Sequence, residues 1–286
     1  NRPAAKLPSM PLQAAPTARP TPANSAANEA VSTPKMSRIA STNTTLNGGV
    51  AIFNTSDTFG TGLLTANGGT IQAGVSGLNL ANTVALNGVG LTTNAGNSFT
   101  MSGAVGGTGS LTKSGTHTLT LTGNNTYTGG TVLSGGSLVA GSATALGAGP
   151  LNVTGNAFLS SSAGTTLGNA VNLGATLTLP GTQALGLSGP ISGVGNLVKN
   201  GAAGLTLSGS NTFSGGTTLN AGTLTLGNNT ALGNGALTVG GASSLATTGG
   251  PLTVANNITL NNALTTQVVD DLTLTGNLSG GGRLVK

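Results

Sequence analysis

The feature that most constrains this chain is a long internal repeat. Residues 109–133 read GSLTKSGTHTLTLTGNNTYTGGTVL and residues 195–219 read GNLVKNGAAGLTLSGSNTFSGGTTL, so the two segments align without a gap. The offset is 86 residues, from Leu111 to Leu197, and a third copy begins at Gly282. Such a repeat indicates a supersecondary unit that stacks on copies of itself. A single closed core is not expected.

The composition restricts how such a unit can pack. Charged residues make up 5% of the chain and aromatic residues 2%, while 50 residues are glycine. In an ordinary globular domain about a quarter of the residues are charged. A chain with so few large side chains builds many thin layers, each with glycine or asparagine at its corners. The chain has no cysteine, which excludes a disulfide scaffold and thiolate metal sites.

The net charge of +5 arises mostly near the N-terminus. Residues 1–40 contain five of the nine basic residues, one of the four acidic residues and seven of the 11 prolines. We therefore predict a disordered tail rich in proline and alanine at residues 1–41. The remaining residues show no cluster of cations, which binding to phosphates requires. No nucleic-acid partner is expected.

Short stretches in which leucine alternates with threonine predict β-strands along the rest of the chain. Residues 119–121, 205–207 and 272–274 all read LTL, and this period of two places leucine on one face and threonine on the other. The chain is therefore predicted to be all-β. About four coils of a right-handed parallel β-helix, at ~22 residues per coil, would fit one unit, giving around eleven coils in all. An antiparallel sandwich or a propeller is the competing fold, although both usually have more aromatic anchors.

The repeat also gives a division of the chain. We predict the tail at residues 1–41 and the parallel β-helix at residues 42–286. The β-helix would comprise a degenerate unit at 42–98, full repeats at 99–184 and 185–271, and a truncated repeat at 272–286. Glycine is expected at corners where φ is positive, and threonine and asparagine are expected in ladders on the outside or at corners.

The repeated motif resembles a known family. GxGxLxKxG followed by LTLTGxNTYTGGTxL is similar to the autotransporter-associated β-strand repeat of passenger domains in bacterial type V secreted proteins. The resemblance implies a β-helical passenger that a C-terminal outer-membrane β-barrel of the same parent protein carries to the cell surface. It also implies that the repeat assists secretion and folding of the passenger. We expect the barrel to lie outside this chain.

The same motif gives the residues to which we assign a structural role in the repeat. They are the glycines, leucines, lysines and aromatic residues that recur in both copies: Gly109, Leu111, Lys113, Gly115, Leu119, Leu121, Tyr127, Gly129, Gly130, Gly195, Leu197, Lys199, Gly201, Leu205, Leu207, Phe213, Gly215 and Gly216.

Two groups in the motif invite a functional interpretation. Lys113, Lys199 and Lys286 recur at one repeat position. A binding stripe is one interpretation, but four coils would separate neighbours by about 19 Å, too far for one small ligand. We expect the lysines instead to be solvated at a strand edge or corner. Tyr127 and Phe213 are expected to pack at a corner and not to stack on sugars.

Residues that could perform catalysis are few. Asp270 and Asp271 are consecutive, so in a strand their side chains leave opposite faces and form no carboxylate pair. His117 is the single histidine, and we expect it to be exposed in a turn; Ala203 takes its place in the second copy. No catalytic residue, metal ligand or cofactor is predicted, and the chain is expected not to be an enzyme.

These observations favour a non-catalytic passenger segment that is secreted or displayed at the bacterial cell surface, in association with the outer membrane. It would serve as a stalk and as a scaffold for secretion and folding. One alternative is an adhesin-type module that binds glycans or proteins of a host or a biofilm. A second alternative is an enzyme that acts on polysaccharides, for which Asp270 or Asp271 would have to be essential.

Overall fold

A computed structural model describes residues 25–26 and 42–286, with the exception of residues 95, 182 and 269. The described chain is a parallel β-solenoid of about 12 coils, so the predicted parallel β-helix is confirmed. Within the predicted tail, Ser25–Ala26 forms a short strand that pairs with residues 45–46; the rest of that prediction lies outside the described residues. Among the described residues, no helix has the length and hydropathy needed to span a membrane.

Most of the strands are three to five residues long, and they are numbered here in chain order: β1 Ser25–Ala26, β2 Thr44–Leu46, β3 Val50–Phe53, β4 Leu64–Ala66, β5 Thr70–Ala73, β6 Leu78–Leu80, β7 Val84–Leu86, β8 Leu91–Thr93, β9 Phe99–Met101, β10 Val105–Gly107, β11 Leu111–Lys113, β12 Thr118–Leu121, β13 Thr131–Leu133, β14 Ser137–Ala140, β15 Leu151–Val153, β16 Ala157–Ser161, β17 Thr165–Leu167, β18 Val171–Leu173, β19 Leu177–Leu179, β20 Leu185–Leu187, β21 Ile191–Gly193, β22 Leu197–Lys199, β23 Leu205–Leu207, β24 Thr217–Leu219, β25 Gly222–Leu226, β26 Leu237–Val239, β27 Ser243–Thr247, β28 Leu252–Val254, β29 Ile258–Leu260, β30 Leu264–Gln267, β31 Leu272–Leu274, β32 Leu278–Ser279 and β33 Leu284–Val285.

Each coil passes through three faces in the order A, B, C. Face A consists of a five-stranded sheet, β1-β2-β4-β7-β10, followed by a seven-stranded sheet, β17-β20-β23-β25-β27-β30-β33. Face B consists of an eight-stranded sheet that runs from β3 to β21, followed by the pair β28-β31. Face C is one eleven-stranded sheet that runs from β6 to β32. Faces A and B are therefore interrupted within the described chain, and face C runs without a break from β6 onward.

The coil is shorter than predicted. Leu111 pairs with Leu91 on one side and with Thr131 on the other, so one coil takes 20 residues there. The expected 22 residues per coil is wrong, because three-residue strands joined by short glycine corners close each coil sooner. An 86-residue unit therefore spans four coils and one further face, and not the four coils predicted.

Because the 86-residue unit is not a whole number of coils, each successive repeat is rotated around the solenoid axis. Leu111 begins β11 on face B, Leu197 begins β22 on face C, and Leu284 begins β33 on face A. Equivalent residues in successive units thus point in different directions. The three repeat lysines cannot form one stripe, because they follow the same rotation.

The core is a column of small aliphatic side chains. Strands show the alternation that the sequence predicts: in β11, β13 and β19 the first and third residues are buried and the middle one is half-buried. Full burial of one Leu or Val contributes about 1.5–3 kcal/mol, and a solenoid accumulates this coil by coil. Asparagines form ladders at corners, where Asn67 Nδ2 donates to Asn47 Oδ1 at 2.7 Å and Asn87 Nδ2 donates to Asn67 Oδ1 at 3.0 Å.

The motif glycines serve two purposes, and only one was predicted. Gly130 has a φ of 80°, in the region that favours glycine. Gly201 has no such φ, but a Cβ there would overlap the carbonyl oxygen of Pro180 in the coil beneath. A Cβ on Gly129 would likewise overlap the backbone of Gly109. Close stacking of coils, as much as backbone conformation, therefore requires glycine in this motif.

Candidate functional site

The most distinctive part of the molecule is a set of loops that interrupt the sheets. In the first full copy, residues 122–130 and 141–150 cross face A without forming a strand, between β10 and β17. In the second copy, residues 208–216 and 227–236 do the same on face B, between β21 and β28. A loop at residues 54–62 crosses face C ahead of β6. The interruption therefore advances by one face per unit.

A buried asparagine carries the hydrogen bonding across each paired interruption. Asn125 is 2% exposed; its Oδ1 accepts from the Val105 amide at 2.8 Å, and its Nδ2 donates to the Ala145 carbonyl at 2.6 Å. Asn211 stands in the same place in the second copy. One amide side chain thus satisfies backbone groups in the coils below and above, which would otherwise be buried without partners.

The second-copy asparagine has the same geometry. Asn211 accepts from the Ile191 amide at 2.8 Å and donates to the Ala231 carbonyl at 2.7 Å. Neither asparagine is among the residues with a role predicted from the sequence. The signal was present, because Asn-Thr followed by an aromatic residue is common to both copies.

A further asparagine series closes the second loop of each interruption. Asn169 Nδ2 donates to the carbonyls of Gly147 and Gly149 at 3.0 and 2.7 Å. Its equivalents, Asn82 and Asn256, make the same pair of bonds to the glycines of their own loops. This series also went unnoticed in the sequence, and it shows that the loop at 54–62 belongs to the same structural pattern.

The repeat aromatic residues fill the space that the missing strands leave. Tyr127 and Phe213 are both 0% exposed, in agreement with the expectation that they pack at a corner. The Tyr127 hydroxyl and Thr131 Oγ1 lie 2.5 Å apart, and Thr131 Oγ1 donates to the Leu146 carbonyl at 3.3 Å. Burial raises the pKa of Tyr127, and the hydrogen bond with Thr131 opposes this only in part.

The second copy lacks this hydroxyl pair. Phe213 replaces the tyrosine, and the equivalent threonine hydroxyl, Thr217 Oγ1, is buried without a hydrogen-bond partner. A buried polar group without a partner reduces stability by about 1–3 kcal/mol. The two copies thus share a shape and differ in one polar contact.

The prediction that the repeat lysines are solvated is wrong for Lys113 and Lys199. Their exposed fractions are 0% and 1%. The Lys113 stem packs inside, and its Nζ donates to the carbonyls of Ser114 and Gly115, both at 3.0 Å, and of Gly135 at 3.1 Å. These corner carbonyls replace water as the partners of the ammonium group, which is why a lysine can be buried there.

The second buried lysine acts in the same way. Lys199 Nζ donates to the carbonyls of Gly201 and, at 3.2 Å, of Ala221 in the next coil. Burial lowers the pKa of both lysines, to about 8 for Lys113. Lys286, which follows β33, is exposed.

The expectation that His117 is exposed is also wrong. The ring is 5% exposed and stacks on Phe99 of the preceding coil, with 5.9 Å between centroids and an interplanar angle of 8°. Asp270 and Asp271 are exposed, and Asp270 Oδ2 accepts from the Gly250 amide at 3.1 Å. Across the part of the chain that is described, no three His, Cys, Asp or Glu side chains group in a way that could hold a metal ion.

Comparison with known families matches these two segments. The family described as passenger-associated-transport-repeat matches residues 111–140 and 197–226. The first match begins with β11 and ends with β14, and the second begins with β22 and ends with β25. Each match therefore contains one buried lysine, one bridging asparagine and one buried aromatic ring.

No match was found among curated proteins or among solved structures. The two repeats and the solenoid around them carry the assignment. Passenger domains of this kind are secreted to the cell surface by a parent autotransporter with a C-terminal translocator. Two passenger-associated transport repeats, wound here into one parallel β-solenoid, support an autotransporter passenger domain.

Proposed function

We propose that this chain is a non-catalytic stalk that also serves as a scaffold for folding during secretion, held at the cell surface in association with the outer membrane. The observation that carries the proposal is the templating of each coil by the one before it. Leu111 pairs with Leu91, Thr131 pairs with Leu111, and Leu151 pairs with Thr131, always in parallel register.

This arrangement suits a chain that emerges from a pore in one direction. A newly emerged coil meets a preformed edge of backbone donors and acceptors, so it needs no distant partner in order to fold. Local templating of this kind keeps loop-closure entropy low. The free energy released as each coil adds to the edge would favour outward movement of the chain.

The transport repeats contribute the bonds that keep the stack continuous where strands are missing. Asn125 and Asn211 link three successive coils across those gaps. Without such a link, folding that proceeds coil by coil would meet an edge without its partners. We therefore assign to the repeats the task of carrying templated folding past the loops.

Two deletions of one coil each, made in the parent autotransporter, test this role. Deletion of residues 111–130 joins Ser110 to Thr131, which takes the place of Leu111 on face B. Deletion of residues 171–190 joins Ala170 to Ile191 in the same manner. Each removes 20 residues and preserves the order of the faces, but only the first removes Asn125 and Tyr127.

The measurement is the amount of passenger exposed at the cell surface, divided by the total amount made. We expect deletion of 111–130 to lower this ratio severalfold and to slow refolding of the released passenger. We expect deletion of 171–190 to leave both close to the parent values. Equal effects of the two deletions would show that any coil serves as well as the transport repeat.

A further inference from the structure

His117 is a buried titratable group that the proposed function does not use. Its ring lies against Phe99, and neither Nδ1 nor Nε2 has a hydrogen-bond partner. A neutral imidazole tolerates such a site better than an imidazolium, which has two N–H donors and a charge to be solvated. The ring is therefore held in a place that opposes its protonation.

The adjacent corner strengthens this opposition. Lys113 Nζ is fixed there by three carbonyl acceptors, so its positive charge cannot move away from the histidine. Strands β9, β12 and β14 stack on one another next to His117, and β11 and β13 carry and adjoin Lys113. These five strands contain no acidic residue that could pair with an imidazolium, and Lys113 is their single charged side chain.

The second repeat keeps the lysine of this corner but neither ring. Lys199 occupies the place of Lys113, Ala203 that of His117 and Leu185 that of Phe99. We propose that the corner formed by His117, Phe99 and Lys113 is an acid-sensitive lock, in which protonation of His117 opens the coil of the first transport repeat while the second repeat stays closed.

The direction of the pH dependence follows from the folded and unfolded states. Burial, and then the charge of Lys113, lowers the pKa of His117 from 6.5 to about 4. The unfolded state therefore binds a proton at higher pH than the folded state does. The stability that neutral His117 contributes is complete above pH 6.5, decreases as the pH falls towards 4, and is constant below that.

The size of the change in the opening equilibrium follows from the pKa of His117 in the unfolded and folded states, 6.5 and about 4. Each pH unit within this window changes the opening equilibrium by about tenfold, so we expect a total change of roughly two orders of magnitude. That is large enough to convert a coil that opens rarely into one that exchanges its amide protons readily.

Hydrogen exchange of the intact chain, resolved by peptide, tests the proposal between pH 7 and pH 4. The probes are peptides that cover residues 111–140 and 197–226, with the second repeat as the internal reference for intrinsic exchange rates. Relative protection of 111–140 should fall by roughly two orders of magnitude across this range. In His117→Ala, which has alanine at this position as the second repeat does, the pH dependence should disappear even if the vacated space lowers protection at every pH.

A second variant adds a histidine to the second repeat, so this test does not depend on the space left empty in His117→Ala. Ala203→His combined with Leu185→Phe places both rings beside Lys199 and should make the second repeat sensitive to acid as well. An unchanged pH profile in His117→Ala, or a wild-type first repeat that keeps its protection at pH 4, would overturn the proposal. Neither of these hydrogen-exchange results bears on surface display at neutral pH. The proposed function as a stalk and folding scaffold is therefore tested separately, by the two deletions.

Discussion

The two transport repeats have the same backbone plan and differ in how they satisfy their buried polar groups. The first has the hydroxyl pair of Tyr127 and Thr131, whereas the second has Phe213 beside a threonine hydroxyl without a partner. Both retain a bridging asparagine with two bonds to the backbone. The difference indicates that the asparagine bridge and the buried ring define the repeat, while the hydroxyl pair is an addition to it.

The largest loss of stability is expected when the side chain of a bridging asparagine is removed. Asn125→Ala leaves the Val105 amide and the Ala145 carbonyl buried without partners, which should lower the free energy of unfolding by about 2–4 kcal/mol. Asn211→Ala should cost about the same, because its two bonds are equivalent. Denaturant titration combined with peptide-resolved hydrogen exchange would measure both.

The neighbouring Asn124, which is exposed, provides a matched control. Asn124→Ala should change the stability by less than about 0.5 kcal/mol. If Asn125→Ala were as mild as this control, the bridge could not be what defines the repeat.

A smaller effect is expected at the lysine corners. Lys113→Met keeps most of the buried stem but removes the donor to three carbonyls, and a loss of about 1–3 kcal/mol should follow. Lys199→Met should cost less, because its Nζ has two such acceptors. A gain in stability in both variants, measured by thermal and denaturant unfolding, would mean that the cost of burying the ammonium exceeds the value of its bonds.

The smallest change in stability is expected when the aromatic residues of the two repeats, Tyr127 and Phe213, are exchanged. Tyr127→Phe should cost about 0.5–1.5 kcal/mol, because it gives the first repeat the composition of the second. Phe213→Tyr should stabilise the second repeat by up to a similar amount, since Thr217 Oγ1 then gains a partner. Opposite shifts in the protection of 111–140 and 197–226 would confirm the exchange; shifts of the same sign would contradict it.

Much of the fold could be predicted from periodicity, because it depends on local patterns. Leu119 and Leu121 alternate with threonine, and this alone places them inside. The coil length could not be predicted as well, since it depends on how few residues a corner needs. An error of two residues per coil was enough to hide the rotation of the repeat.

The candidate site was predicted less completely, for a physical reason. Lys113 and His117 are of types that usually prefer water, and their burial depends on carbonyls and a ring supplied by neighbouring coils. In the sequence, Asn125 looks like any polar corner residue. Its role depends on the absence of a strand on face A at this point, which only the structure reveals. Such roles arise from three-dimensional gaps that a linear pattern does not display.

The advance of the interruption by one face per unit has a consequence for how such chains can evolve. A segment that is built onto a different side of the rod each time cannot rely on features that only one side offers. The bridging asparagine, the buried ring and the lysine all find their partners in the immediately adjoining turns. The contacts of the transport repeat are therefore local, so the repeat can be duplicated or inserted at another position along a passenger, on any face of the solenoid.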